Sequence, residues 1–259
     1  MPPAVRLQQI TKRFAGYSAL EDITFDVNPG RFVSIVGPSG CGKSTLLNMI
    51  AGLLPPSSGL VDIFGEPLAG LNRRASYMFQ QDALLPWKTV LGNIRLGLTF
   101  RGRTGPDAAG EANAWIERVG LQGFGDRYPH QLSGGMRKRV AMAQCWIVKP
   151  DLVLMDEPFA ALDVHTRLRM EGEILGLWAG SGETVIFVTH DLEEAIALSD
   201  EVILLSAGPG SRLVGRYPVD LARPRNLIDI KMEPRFNELF RAIWSDLRAE
   251  VLKSYERND

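Results

Sequence analysis

The stretch Phe32-Val33-Ser34-Ile35-Val36-Gly37-Pro38-Ser39-Gly40-Cys41-Gly42-Lys43-Ser44-Thr45-Leu46-Leu47-Asn48-Met49-Ile50-Ala51 decides the fold. Its first five residues form an apolar, β-branched run that predicts a buried strand, and the residues after Lys43 predict a helix. Between them Gly37, Gly42, Lys43 and Ser44 stand at the spacing of a P-loop, in the strand-to-helix setting that this loop needs. A glycine-rich turn can wrap its backbone N–H groups around a phosphate chain, and the following helix N-terminus adds partial positive charge. Lys43 is then placed to reach the terminal phosphates, and the Ser44 hydroxyl to ligate Mg²⁺.

Further strands are predicted at Leu152–Met155, Thr184–Thr189 and Glu201–Ser206, each an apolar run between turn or helix signals. The first leads into Asp156 and Glu157. At the end of a buried strand downstream of a P-loop, Asp156 can hold the metal's water shell and Glu157 can orient or deprotonate an attacking water, which points to hydrolysis. The second leads to His190, ahead of a helix that Asp191 and Glu194 cap at capping-box spacing. In parallel α/β sheets ligands gather at the carboxyl ends of the strands, so His190 is expected beside Lys43 and Glu157, in contact with a γ-phosphate. Leu132-Ser133-Gly134-Gly135-Met136 opens a helical run from Arg137 to Val148 that stops before Pro150. Taken alone, Ser133 reads as a helix N-cap; it is also a second anion-binding terminus with no nucleotide of its own nearby in sequence.

The alternation of these strands with helical patterns predicts an α/β fold with a largely parallel sheet. Between Gln80 and Pro150 strand signals vanish, so this segment is expected to be a helical insertion. Phe236, Leu239, Phe240, Ile243, Trp244, Leu247 and Val251 recur at three and four residues and predict one C-terminal amphipathic helix packed on its own domain. Across 259 residues the formal net charge is −1, which offers no electrostatic case for nucleic-acid binding. The composition, 45% hydrophobic and 23% charged, is that of an ordinary globular chain. No apolar run approaches the ~18 residues that cross a bilayer, and the start, MPPAVRLQQITKRF, has no apolar core of a signal peptide, so the chain is expected to stay in the cytosol. Cys41 and Cys145 are read as free thiols, with Cys41 activated by its place at a helix N-terminus and protected by bound nucleotide.

Together these residues resemble the nucleotide-binding subunit of an ATP-binding cassette transporter. The motifs occur in order: Walker A at Gly37–Ser44, the Q-loop glutamine Gln80, the signature Leu132–Met136, Walker B with its glutamate at Leu152–Glu157, the D-loop Ala161-Leu162-Asp163 and the switch His190. The resemblance implies an ABC-type P-loop NTPase with a RecA-like mixed-sheet ATP-binding core at 1–81 and 150–220 that includes N-terminal antiparallel strands, a helical signature subdomain at 82–149 and a C-terminal helical tail at 221–259. ATP and Mg²⁺ are the implied cofactors. Lys43, Glu157 and His190 are implied as catalytic, and Ser44, Gln80 and Asp156 as the metal set. Nucleotide contacts are implied for Phe14, Gly37, Pro38, Ser39, Gly40, Cys41, Gly42, Lys43, Ser44, Thr45, Gln80, Ser133, Gly134, Gly135 and Asp163. Phe14 has the expected separation for the aromatic that stacks on adenine, and Tyr17 is the fallback.

The family further implies a head-to-tail dimer of two copies, each completing the other's ATP site through Ser133 and Gly135, bound at the cytoplasmic face of the membrane. Membrane-spanning permease subunits are the implied partners, with a solute-binding protein acting through them and no nucleic acid. Leu84-Leu85-Pro86-Trp87 supplies apolar side chains for a groove that accepts a short permease helix. Met136 in place of the usual Gln, the lead-in Tyr128-Pro129-His130-Gln131 and the tail sequence Leu221-Ala222-Arg223-Pro224-Arg225 resemble the nitrate, sulfonate and taurine uptake group. A small-molecule kinase would share the P-loop but have no use for Leu132–Met136 or His190. A soluble, non-transport ATPase of the same family, acting on a macromolecule, is the other alternative.

Overall fold

The computed structural model describes residues 1–256; the last three positions of the expected tail, 257–259, lie outside them. In chain order the strands are β1 (Val5–Phe14), β2 (Tyr17–Val27), β3 (Phe32–Val36), β4 (Ser58–Ile63), β5 (Glu66–Pro67), β6 (Ala75–Met78), β7 (Leu152–Asp156), β8 (Thr184–Val188), β9 (Glu201–Leu205) and β10 (Leu213–Pro218). The helices are α1 (Lys43–Ile50), α2 (Val90–Ile94), α3 (Leu96–Phe100), α4 (Pro106–Arg118), α5 (Gly134–Trp146), α6 (Val164–Ala179), α7 (Leu192–Leu198) and α8 (Pro234–Glu256). Two short 3₁₀ turns, at Pro129–Gln131 and Ile230–Met232, complete the order.

The strands form two sheets. A four-stranded antiparallel sheet has the order β2-β1-β4-β5, and a six-stranded sheet the order β10-β9-β3-β8-β7-β6. In the larger sheet every pair is parallel except the edge pair β9–β10. Strands β3, β7 and β8 are apolar on both faces because the sheet is covered on both. Their side chains divide at a period of two: Phe32, Val36, Val153, Met155, Val185 and Phe187 face the helical side, while Val33, Ile35, Leu152, Leu154, Ile186 and Val188 face α1 and the antiparallel sheet. Phe32 packs edge-on against Trp178 at 5.7 Å and tilts against Phe187 at 5.9 Å.

Element ends follow local chemistry. The expected strand at Leu152 runs on to Asp156, whereas those predicted to end at Thr189 and Ser206 stop at Val188 and Leu205. Helix α5 starts at Gly134 rather than Arg137, because Ser133 Oγ accepts the Met136 N–H and caps the first turn. Asp163 caps α6 through the Thr166 N–H, and Thr89 caps α2 through the Gly92 N–H. The expected capping box at α7 is half present: Asp191 accepts the Glu193 and Glu194 N–H groups. The Glu194 carboxyl instead takes the Thr189 hydroxyl, and Thr189 Oγ1 accepts the Asp191 N–H.

The helical segment is α2 to α5, and α8 packs on α7, the Ile230–Met232 turn and β10 through buried Phe236, Leu239, Ile243 and Leu247, while Trp244 stays exposed and stacks on Phe240. The sequence Leu221–Arg225 closes the far end of α7. Arg225 donates to the carbonyls of Ile196, Ala197, Ser199 and Leu221, and Arg223 to that of Leu198, which satisfies acceptors that a helix C-terminus leaves open. Arg223 also bonds Asp200, whose other oxygen accepts the Phe32 N–H at the start of β3. Among the described residues no helix is long and apolar enough to cross a membrane.

Burial of Glu194 has a measurable consequence. Desolvation pushes its carboxyl up from 4.5 to about 8, against the Thr189 hydrogen bond and the Arg167 charge and with help from the Glu171 and Asp191 charges. The folded chain thus keeps a proton that the unfolded chain releases near the ordinary value. Stability from this group is full below that value and is lost as the pH rises to about 8. Glu194→Gln is expected to remove a fall of up to about 1.4 kcal/mol per pH unit across that window. Thermal melts of both proteins check this, and parallel curves would exclude it.

Candidate active site

The strand order places four loops side by side along one edge. Strand β3 leads into Gly37–Ser44, its neighbour β8 into His190, the next strand β7 into Asp156 and Glu157, and the edge strand β6 into Gln80. Because these strands run parallel, all four loops leave at their carboxyl ends.

Backbone geometry makes the glycines of the first loop necessary. A Cβ at Gly37 would stand 2.8 Å from the Leu205 carbonyl oxygen. Gly42, the residue before α1, has φ 93° and would bring a Cβ to 2.9 Å from Leu20 Cδ2. The chain thus wraps tightly back onto α1, and the buried Lys43 Nζ donates to the carbonyls of Gly37 at 2.9 Å and Pro38 at 3.0 Å. Ser39, Gly40 and Ser44 are exposed along the same loop, and Thr45 is half-buried.

Across the edge, Ser44 Oγ donates to Asp156 Oδ1 at 2.9 Å, and Tyr77 Oη to Asp156 Oδ2 at 3.3 Å. Burial holds the Asp156 carboxyl above the ordinary carboxylate value, opposed by these two hydrogen bonds. Burial also raises the Tyr77 hydroxyl, followed by the charge of Asp156, which keeps it a donor. Tyr77 is the site residue that the sequence reading missed; its signal was a polar tip in a strand, one pleat before the loop that carries Gln80. Glu157 has φ 43°, an uncommon left-handed conformation for a residue with a side chain, and its N–H is pinned to the Val188 carbonyl at 2.9 Å. Its Oε2 lies 3.2 Å from Nδ1 of His190, which is itself 57% exposed.

Lys43, Ser44, Asp156, Glu157 and His190 are therefore brought together. Ser133, Gly134 and Gly135 are not: among the described residues they share no hydrogen bond with the P-loop, and Ser133 is spent on its own helix. They lie beside the D-loop instead, since a Cβ at Gly135 would come within 2.9 Å of Thr166 Cγ2, and Thr166 bonds Asp163 through its N–H and hydroxyl. Gln80 is exposed and is held by its backbone carbonyl, which accepts from Lys138 Nζ. Phe14 and Tyr17 face each other across the tip of the β1–β2 hairpin, 45% and 43% exposed. Lys12 Nζ stands 5.2 Å over the Phe14 ring, while the Tyr17 hydroxyl adjoins Gly208, next to the Gly40 carbonyl.

The expected reactivity of Cys41 is overturned. A helix N-terminus lowers a thiol's pKa, but Cys41 is completely buried and desolvation, the largest influence, raises it despite the nearby Lys43 charge. Burial likewise pushes Cys145 up to about 12. Both are free thiols. Native protein is expected to take up no maleimide at either position and to label at both once denatured; rapid native labelling of Cys41 would contradict this burial.

The donor set suits a nucleotide with its metal. A hydroxyl and a carboxylate on adjoining loops are oxygen ligands of the kind Mg²⁺ takes, one or two at a time beside phosphates and water. Among the described residues no group of three or more His, Cys, Asp or Glu could hold a metal alone. The ABC transporter family matches residues 20–160, more than half of the chain. An uncharacterized ABC transporter ATP-binding protein of Methanocaldococcus jannaschii is 43% identical over 258 residues, covering 98% of this chain and 95% of that one. The taurine import ATP-binding protein TauB of Yersinia pestis bv. Antiqua is 40% identical over 226 residues, 86% of this chain and 89% of its own. The nitrate import ATP-binding protein NrtC of Synechococcus elongatus is 39% identical over 240 residues, 90% of this chain and 36% of its own. Among solved structures, the dimeric post-hydrolysis state of the ATP-binding cassette MJ0796 bound to ADP and Pi has a TM-score of 0.73 at 32% identity, over 84% of this chain and 100% of that one. A P-loop and acid pair built onto this sheet edge are what such a protein works with, and the chain belongs to the ABC transporter family as one of its ATPases.

Proposed function

We propose that this ATPase drives uptake of a small solute of the taurine, sulfonate or nitrate kind, working as a pair of identical chains on membrane-spanning permease subunits at the cytoplasmic face. A solute-binding protein would deliver the cargo to the permease. The observation that carries the reading is the placement of Ser44, Asp156, Glu157 and His190 on one edge while Ser133–Gly135 stand apart on α5. One chain thus holds the two parts of a phosphate site without joining them, and a second copy turned head to tail supplies what is missing. The names of TauB and NrtC support import of such solutes, and the dimeric cassette MJ0796 supports the pairing.

In this reading the P-loop amides and Lys43 cradle the terminal phosphates, and Ser44, Asp156 and Gln80 would hold Mg²⁺, which when bound neutralises phosphate charge. Glu157 accepts the proton of the attacking water, and His190 holds the Glu157 carboxyl through Oε2. Phe14, with Tyr17 as the fallback, stacks on adenine. Asp163, beside the signature, faces the partner's site. Leu84 to Trp87 would receive a permease helix: the loop is fastened by the buried Asn93, which accepts from the Leu85 N–H and donates to three carbonyls. A cleft of about 210 Å³ lined by Tyr77, Phe79, Ala83, Cys145 and Val148 adjoins it.

Glu157→Gln is expected to slow ATP hydrolysis by roughly 10²–10⁴-fold while ATP binding persists and a dimer accumulates on size exclusion. Ser133→Arg should abolish hydrolysis without weakening nucleotide binding by the separated chain. Wild-type turnover in the first variant would remove Glu157 as the base, and normal activity in the second would show that the site is not shared. Loss of the gene is expected to end uptake of labelled sulfonate or nitrate by the host; uptake of both unchanged would refute this choice of solute.

A further inference from the structure

The C-terminal helix comes back to the sheet edge that carries the P-loop. Strand β9 runs parallel to β3, so the loop that follows it, residues 206–212, leaves the sheet beside Gly37–Ser44. The approach is close at two points. A Cβ at Gly37 would stand 2.8 Å from the Leu205 carbonyl oxygen, and a Cβ at Gly208 would stand 3.3 Å from the Gly40 carbonyl oxygen and 3.5 Å from the Tyr17 hydroxyl. On its other side the loop is bonded to the start of β2: the Gly210 N–H donates to the Ser18 carbonyl at 2.6 Å, and the Glu21 N–H to the Ser211 carbonyl at 2.9 Å. Ser206 Oγ accepts the Arg212 N–H at 2.9 Å and closes the loop at its base. The Ala207 N–H points elsewhere, to Oε2 of Glu250 near the end of α8, which accepts it at 3.0 Å.

Glu250 breaks the pattern of its own helix. Phe236, Leu239, Ile243 and Leu247 fill the buried face of α8, and the next place on that face is taken by a carboxyl, 7% exposed. A departure of this kind from local pattern marks a use for the side chain. Its Oε1 is met by Lys253 one turn on, and its Oε2 serves Ala207, which is 3% exposed and out of reach of water. Without that acceptor a backbone donor would be buried unpaired, so the loop could not rest where it does. We propose that Glu250 is a positioning residue for nucleotide binding: by fixing Ala207 it holds residues 206–212 against Gly37 and Gly40, and so holds the P-loop backbone in the arrangement that meets the phosphates. The end of α8 thereby sets the affinity for ATP. This role rests on the reading above in which Gly37–Ser44 cradle the phosphates, and it is independent of the pairing of two chains. Because the loop braces the cradle from outside, it governs how often the cradle is ready and leaves the attack of water alone.

The test uses the full chain with Glu250→Met, which keeps the reach of the side chain but removes the acceptor, and Glu250→Gln, which keeps an acceptor for the Ala207 N–H and drops the charge. Three quantities are read: the affinity of the dilute chain for a fluorescent ATP analogue with Mg²⁺, kcat at saturating ATP, and Tm. Glu250→Met is expected to weaken binding by about 3- to 10-fold, the factor by which the ready arrangement is depopulated, with kcat within about twofold of wild type. Glu250→Gln should recover most of the affinity. A helix that only completes the core would lower Tm and leave the affinity of the folded protein as it was; that result, or a Glu250→Gln variant as weak as Glu250→Met, overturns the proposal. Should Glu250→Met fail to fold, amide exchange of the wild type decides. Coupling is reciprocal, so the analogue is expected to slow exchange at Ala207 by at least about threefold, and unchanged exchange overturns the proposal. Lys43→Ala keeps the two readings apart: wild-type affinity in that variant would strike the phosphate cradle itself, whereas wild-type affinity in Glu250→Met strikes only the role of α8.

Discussion

Everything chemical in this protein hangs from the parallel pairing of β3, β8, β7 and β6. The register sets Val36, Val188, Asp156 and Met78 near one level of the sheet, so the loops that follow emerge together. A slip of one residue would exchange the two faces of a strand and press each side chain into a space packed for another. The site's position is thus enforced by the same burial that stabilises the core. That burial also acts on the chemistry: it raises Asp156, and hydrogen bonds from Ser44 and Tyr77 oppose it. The left-handed backbone at Glu157 is held by the bond from its N–H to Val188, one strand across.

Two groups of the proposed site residues are held differently in the chain. The P-loop is built into the sheet edge, with Lys43 buried in it. Ser133 and Asp163 are exposed, cap their own helices and stand beside each other across the Gly135–Thr166 contact. In the proposed dimer this exposed pair is the surface a partner's nucleotide would meet. The polar bridge from Gln80 to α5 lies between the two regions, with Lys138 buried in it.

Much of this was legible residue by residue. The P-loop declares itself because its glycines, lysine and serine stand at a fixed spacing in sequence, and strands buried on both faces, such as Leu152–Asp156, are written as unbroken apolar runs. The N-cap Ser133 acts on a group three residues away, so spacing suffices to find it; the cap that Asp163 forms on α6 was not read from the sequence. Tyr77 escaped because its hydroxyl meets Asp156 across a strand pair, and nothing local marks the encounter. Cys41 was misjudged for the opposite reason: the helix terminus is local and visible, whereas the wall of neighbours that desolvates the thiol is not. The capping box at Asp191 failed in the same way, since Glu194 turned to Thr189 and a buried position beside Glu171.

The amino-acid sequence by itself determined which residues could touch a phosphate, a metal or a water, and the order in which strands and helices carry them. Those properties depend on side-chain chemistry and on periods of two and three to four residues. Only the tertiary structure decided which of them meet: Ser44 with Asp156, Glu157 with His190, and Lys138 with Gln80 and Asp82. The reason is that desolvation and long-range hydrogen bonds depend on what packs against a group from distant parts of the chain, and the order of strands in a sheet, which no local period encodes, chooses those neighbours.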